Sequence, residues 1–135
     1  MREILFRGKG THGHKTGKWV YGNYAKDFWG KDRGGFSILP FDGGCYEVDP
    51  ETVGQFTGLT DKNGKQIFEG DIVEVVFRYY NRKERSKFKV IFYQRNACFS
   101  LWKSSQRVPM TLDETKDYKV IGNIHDNPEL LKGGA

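Results

Sequence analysis

The chain has 135 residues and a mass of 15.6 kDa, which suits a single domain with one hydrophobic core. Aromatic residues make up 15% of it and there are 17 glycines, a composition that is typical of small β-sheet folds and argues against a helix bundle. The net charge is +5, and the sequence contains no run of about twenty apolar residues and no signal-peptide pattern. We therefore expect a cytoplasmic protein, not a membrane protein, whose two cysteines, Cys45 and Cys98, are free thiols.

The first half of the chain predicts short strands that are separated by glycine-rich turns. Aromatic and β-branched residues favour strands at residues 3–7, 18–24 and 36–40, and Gly8 is expected to end the first of these. Asp49 before Pro50 indicates the start of a helix, but the residues that follow do not sustain one and favour an extended segment.

The centre of the chain contains the strongest local signal. The pair Asn63-Gly64 favours the positive φ angles of a tight turn, so it predicts a hairpin between residues 56–59 and 66–68. A second turn is predicted at Glu69-Gly70-Asp71, where we expect the carboxylates to accept hydrogen bonds from backbone N–H groups.

The second half of the chain predicts a meander of strands with one longer connection. The strands are expected at residues 72–80, 88–93, 97–102 and 118–124, with a turn at 81–86 and a final helical turn that begins at Asn127-Pro128. The fold class is therefore mainly β, with a small, partly open SH3-like barrel in the C-terminal half packed with an N-terminal β-rich lobe. We expect one domain over residues 1–135, with sub-lobes at about 1–55 and 56–131, because each half alone is small for independent stability.

Positive charge is concentrated in residues 78–89, which hold six basic residues against one acidic residue. Basic side chains interleaved with aromatic rings are suited to pairing with phosphates and to stacking on unpaired bases. The predicted nucleic-acid-binding residues are Arg78, Tyr79, Tyr80, Arg82, Lys83, Arg85, Lys87 and Lys89. The alternative is a solvated hairpin tip whose charges only maintain solubility, and Glu84 within the segment favours that interpretation.

Motifs for catalysis, metal binding or cofactor binding are not found. His12 and His14 lie close together, with His125 or a cysteine as a conceivable third ligand, but no recognised metal-site spacing is present. Neither cysteine lies in a nucleophile motif. The carboxylates Glu69, Asp71 and Glu74 cluster in sequence, but no partner for acid–base chemistry is identifiable. The sequence therefore predicts no catalytic residue, no metal, no cofactor and no small-molecule substrate.

Three segments together resemble one protein family. Residues 48–73 have the sequence VDPETVGQFTGLTDKNGKQIFEGDIV, which is similar to the central motif of the YopX family of phage and prophage proteins. Residues 2–7 and 120–131 resemble the two ends of that family, whereas residues 8–17 and 78–89 depart from it. The resemblance implies a mainly β, phage- or prophage-encoded protein of the bacterial cytoplasm, and it brings neither an established function nor catalytic residues.

Three hypotheses for the function stay open. The leading one is a non-enzymatic binding module that contacts nucleic acid or a host protein through the basic segment. The second is a homo-oligomeric assembly or scaffold component, because positive blocks at residues 1–33 and 78–89 flank a negative block at 34–77. The third is an enzyme with an unrecognised carboxylate or thiol site, which a deep polar pocket joining Glu69, Asp71 or Cys45 to His125 would support.

Overall fold

The computed structural model describes residues 3–26, 35–79, 82–104, 106–110 and 116–132, and the chain divides into two compact units, Met1–Phe56 and Thr57–Ala135. Strands dominate both units and are linked by turns and single turns of 3-10 helix. The strands are β1 Phe6–Lys9, β2 Trp19–Lys26, β3 Phe36–Leu39, β4 Tyr46–Val48, β5 Gly54–Thr60, β6 Gln66–Phe68, β7 Asp71–Tyr79, β8 Arg82–Tyr93, β9 Cys98–Lys103, β10 Gln106–Pro109 and β11 Lys116–Asn123. The 3-10 turns are Gly13–Lys15, Pro50–Thr52, Gln94–Asn96 and Pro128–Leu131.

The prediction of a mainly β fold is confirmed. The strands form two antiparallel sheets, and neither closes into a barrel within the residues that the structure describes. Strand β5 crosses the boundary between the two units, so its first residues belong to the first unit and the rest to the second.

The first unit contains strands in the order β4-β3-β2-β1-β5, with a small core of Val20, Ile38 and Val48. The prediction that Gly8 ends the first strand is wrong, because β1 runs from Phe6 to Lys9 and includes it. A Cβ atom at Gly8 would lie 3.0 Å from the Cβ of Val48. The glycine therefore permits close packing inside a sheet and does not terminate the strand.

The segment after β4 follows the expectation from sequence. The Asp49 carboxylate accepts a hydrogen bond from the Glu51 N–H at 3.0 Å and caps the 3-10 turn at Pro50–Thr52. The chain then becomes extended as β5, and the turn that contains Asn63-Gly64 connects β5 to its neighbour β6. Gly64 has a φ of 81°, as the tight turn requires, so this hairpin is confirmed.

The second unit is built around a five-stranded sheet in the order β10-β9-β8-β7-β11. One face of this sheet carries the hydrophobic core, which consists of Ile67, Val73, Val75, Phe88, Val90, Leu101 and Tyr118. Strand β10 falls in a stretch predicted to be a polar connection. It forms because Val108 pairs with Leu101 and packs against the core.

The turn predicted at residues 81–86 is wrong. Strand β8 begins at Arg82 and pairs with β7 from Tyr79↔Arg82 to Ile72↔Lys89, so the basic segment is mainly strand. Successive side chains of a strand point to opposite faces. A run of charged residues is therefore compatible with a strand that has one face on the core and the other in solvent.

Candidate functional site

Strand β8 sorts the charges of the basic segment onto one side of the sheet. Ser86, Phe88 and Val90 alternate with basic residues, and Phe88 and Val90 belong to the core. Lys83, Arg85, Lys87 and Lys89 therefore share the opposite face, which we call the cationic face. Glu84 is separated from Phe88 by an even number of positions along β8, so it lies on the same side of the strand as Phe88 and does not interrupt the row of cations.

Neighbouring strands add an aromatic side chain to the cationic face. In β9, Trp102 is paired in register with Lys89 on one side and with Arg107 of β10 on the other. Paired residues of antiparallel strands lie on the same face, so the half-buried indole lies between two cations. Arg107 also packs its guanidinium 4.4 Å from the ring centre of Tyr93.

Two arginines of the predicted site have acidic partners. Arg78 forms an ion pair with Asp117, and Arg85 lies 3.8 Å from the Glu74 carboxylate. Both arginines are exposed, so these pairs are weak and open to exchange for another anion. For Lys83, Lys87 and Lys89, no described residue forms an ion pair with the ammonium group.

The eight predicted residues are only partly brought together. The cationic face contains four of them, and Arg78 is opposite Lys83 in the β7–β8 register. The backbones of Tyr79 and Arg82 are paired at the end of the same hairpin. Tyr80 lies outside the described residues.

A pocket of about 350 Å³ includes three residues of the cationic face, Arg85, Lys87 and Lys89. Its apolar lining comes from Trp102 and from Leu130 and Leu131 of the C-terminal 3-10 turn, which packs against β8. Its polar lining comes mostly from β7, β8 and β9 and consists of Glu74, Arg85, Ser86, Lys87, Lys89, Lys103 and Ser104. The ammonium group of Lys103 donates a hydrogen bond to the Ser86 hydroxyl at 2.8 Å. The pocket thus combines an apolar wall with several cations.

Two side chains of the C-terminal segment, Asn127 and Leu130, pack closely against Gly122. A Cβ atom at Gly122 would lie 2.5 Å from Oδ1 of Asn127 and 2.9 Å from Cδ1 of Leu130. The same Asn127 oxygen accepts a hydrogen bond from the Asn123 N–H at 3.3 Å. A side chain at position 122 would therefore force the Asn127 or Leu130 side chain to shift, so Gly122 affects the position of Leu130 in the pocket lining.

Two carboxylates of the central motif, Asp61 and Asp71, accept hydrogen bonds from backbone N–H groups. Asp71 is buried and accepts a hydrogen bond from the Phe68 N–H at 2.7 Å, so the predicted role in the turn is confirmed. Asp61 accepts hydrogen bonds from the N–H groups of Asn63, Lys65 and Val120. Burial raises the pKa of Asp61, but these three hydrogen bonds and the positive charge of Lys65 together outweigh it and leave the pKa below its usual value.

The remaining candidates are the histidines and the cysteines. His12 is exposed, with Nδ1 2.8 Å from the Thr11 hydroxyl and 3.4 Å from the Glu47 carboxylate. Cys45 and Cys98 are half-buried free thiols. Within the described ranges, no group of three or more His, Cys, Asp or Glu side chains is arranged to hold a metal ion. The same ranges contain no helix that is long and apolar enough to cross a membrane.

The sequence predicted Arg85, Lys87 and Lys89 as binding residues but did not indicate the other residues that line the pocket. Trp102, Leu130 and Leu131 are separated from the basic segment in the chain and approach it only through strand pairing and the C-terminal turn. The one available signal was the alternation within β9, which distinguishes Trp102 from the buried Leu101 beside it.

Comparison with known proteins places most of the chain in one family. The family model described as "YopX protein" matches residues 14–132. A similar solved structure is the crystal structure of protein EF1440 from Enterococcus faecalis, which is 25% identical in sequence with a TM-score of 0.55. The similarity covers 98% of this chain and 100% of the other. No curated protein matches the chain.

Proposed function

This chain belongs to the YopX family, and from that premise we propose that it is a non-enzymatic protein that binds nucleic acid through the cationic face. The observation that carries the proposal is the row of four basic side chains on one side of β8, from Lys83 to Lys89. Side chains two residues apart in a strand repeat at roughly 6.6 Å, so the row extends for about 20 Å. Such a row can contact successive phosphates of one nucleic-acid backbone.

The composition of the cationic face favours nucleic acid over a host protein as the partner. Lys87 and Lys89 stand beside Trp102, and a cationic groove that tracks a backbone beside an aromatic platform is the usual arrangement in proteins that bind single strands. An acidic protein surface would also be attracted to the lysines, but its carboxylates are not each joined to a flat aromatic ring, as every phosphate of a nucleic acid is joined to a base.

The proposal extends to three finer points. We take the second unit to be an SH3-like, partly open barrel, which is supported by a meander from β7 to β10 with β11 returning beside β7. We also take the protein to be phage- or prophage-encoded and to act in the cytoplasm, as the family resemblance implies.

The test is fluorescence anisotropy with labelled DNA and RNA oligonucleotides over a salt series. The test variant carries Lys87→Glu and Lys89→Glu, and the control carries Lys62→Glu and Arg95→Glu, which change the net charge equally at exposed sites of the same unit. We expect wild-type affinity to fall steeply with salt. Loss of two phosphate contacts should flatten the slope of log K against log salt by roughly 1.4–1.8.

The control variant should bind like the wild type. The proposal is refuted if the wild type shows no binding at the lowest salt, or if the test and control variants lose affinity equally. If the wild type binds a host protein and does not bind nucleic acid, the partner of the cationic face is a protein.

A further inference from the structure

The pocket in the cationic face has the chemistry of a site for one nucleotide. We infer that it holds a single unpaired nucleotide, with the base against Trp102 and the phosphate on the neighbouring lysines. This inference rests on the proposed function and deepens it, because it names single-stranded nucleic acid as the class that the cationic face recognises.

The apolar part of the pocket is suited to a flat ring. At about 350 Å³ the pocket is within the range of small-ligand sites, which begins at roughly 300 Å³. Trp102 and the leucine pair of the C-terminal turn line the same pocket. Bases stack readily on aromatic side chains because every base presents a π-face, so recognition of this kind tolerates any sequence.

The cations of the pocket favour an anionic group attached to that ring. Lys87, Lys89 and Lys103 all line it, and Lys103 is oriented by its hydrogen bond to Ser86. A neutral apolar ligand would offer no acceptor to the ammonium groups of Lys87 and Lys89. A nucleotide supplies both parts, with a phosphate for the lysines and a base for Trp102.

The acid in the pocket limits where the phosphate can lie. Glu74 is paired in register with Lys87, on the β7 side of the pocket. Repulsion between two anions therefore directs the phosphate toward Lys89 and Lys103, on the β8 and β9 side. The base then lies between Trp102 and the turn that contains Leu130.

A duplex cannot use this pocket without being opened. Bases within a double helix are stacked on each other, so an unpaired base is required to reach the indole. The cationic face alone attracts any nucleic-acid backbone, whereas the pocket adds affinity only for single strands. The protein should therefore bind a single strand more tightly than a duplex of equal length at the same salt concentration.

The test separates stacking from charge. Trp102→Leu keeps an apolar side chain at the rim, and Phe92→Leu, at a 41% exposed aromatic of the same unit, is the matched control. Anisotropy is measured for single-stranded and duplex oligonucleotides, and NMR spectra are recorded with a mononucleotide, with ribose 5-phosphate and with inorganic phosphate. Gly122→Ala is a second variant, because its added Cβ crowds the Leu130 side chain that lines the pocket and changes no cation.

We expect Trp102→Leu to lower single-strand affinity about tenfold without changing the salt slope, since stacking carries no charge. Gly122→Ala should act in the same direction and Phe92→Leu should have no effect. The mononucleotide should shift the Trp102 indole resonance, and the two phosphates without a base should not.

Equal binding of single strands and duplexes, combined with salt-dependent affinity that ignores Trp102 and Gly122, overturns the nucleotide pocket and leaves the proposed function standing. Absence of any salt-dependent binding overturns the proposed function itself. If Trp102→Leu fails to fold, as judged by circular dichroism, the Gly122→Ala variant and the mononucleotide titration decide the matter.

Discussion

Replacing Asp61 by asparagine tests whether the central motif is structural. The Asp61 side chain is 7% exposed, and its Oδ1 accepts hydrogen bonds from the N–H groups of Asn63 and Lys65 at 2.8 and 2.9 Å. Its Oδ2 accepts one from the Val120 N–H at 3.0 Å. An asparagine retains one of these oxygens and replaces the other with an NH2 group, which must then face a backbone donor.

The loss of stability in Asp61→Asn depends on which of the three hydrogen bonds the asparagine can still accept. If the amide oxygen keeps the two bonds within the turn, the NH2 group meets the Val120 N–H and the connection to β11 is lost. Loss of one hydrogen bond to a charged acceptor costs about 1.5–3 kcal/mol, and the other two weaken when the charge is removed. We expect the free energy of unfolding to fall by roughly 2–4 kcal/mol near neutral pH.

The effect should depend on pH with a definite sign. The pKa of Asp61 in the folded protein is lowered from its usual 3.8, because backbone hydrogen bonding and the positive charge of Lys65 together outweigh the opposing effect of burial. A carboxylate of this kind stabilises the fold above its unfolded pKa, and the stabilisation is lost as the pH falls through the folded pKa. The difference between the wild type and Asp61→Asn should therefore be largest near neutral pH and shrink below about pH 4.

The assay is urea denaturation followed by circular dichroism, at about pH 7 and at about pH 3. Glu129→Gln, at an exposed carboxylate of the same unit, is the control and should change stability by less than about 0.5 kcal/mol. A loss at Asp61 no larger than the control, or one that is equal at both pH values, would refute the structural role of the charge.

Three further perturbations test the turns and the ion pair at the end of the hairpin. Gly64→Ala should cost about 1–2 kcal/mol in urea denaturation, because its φ of 81° is left-handed; an unchanged stability would show that the turn adapts. Asp71→Ala should cost about 1–3 kcal/mol by leaving the buried Phe68 N–H without this acceptor, and the Phe68 amide should exchange its hydrogen faster; unaltered exchange would contradict this. A double-mutant cycle on Arg78→Ala and Asp117→Ala should give a coupling below about 1 kcal/mol that disappears at high salt, since Arg78 is exposed; a larger coupling would mean that the pair is shielded from solvent.

Local chemistry was sufficient to predict much of the fold. The turn at Asn63-Gly64 and the cap at Asp49 are each determined by neighbouring residues, so sequence placed them correctly. Most strands of the second unit were predicted from their apolar, β-branched and aromatic residues, and β9 from its alternation, whereas β10 was not predicted. The weak predictions were those in which a residue type has two uses, such as Gly8, where a glycine allows close packing instead of ending a strand.

The candidate site could be predicted only in part. Charge density identified Lys83, Arg85, Lys87 and Lys89, but not that they share one face, because residues 81–86 were expected to form a turn. The pocket depends on the register between β8 and β9 and on the close packing of Asn127 and Leu130 against Gly122. Both are long-range consequences of packing, and no local pattern around the basic segment contains them.

The bond between Asp61 and Val120 also sets an order of events in the synthesis of this protein. Its two residues are 59 positions apart, so at about 5–20 residues per second the ribosome takes roughly 3–12 s to deliver the second after the first. Throughout that interval the Oδ2 atom of the Asp61 carboxylate has no Val120 N–H to accept from and is solvated by water. The hairpin of β5 and β6 can form early, but β11 can pair with β7 only after β11 has left the exit tunnel. Nascent chains that are stalled before that point should therefore remain sensitive to protease.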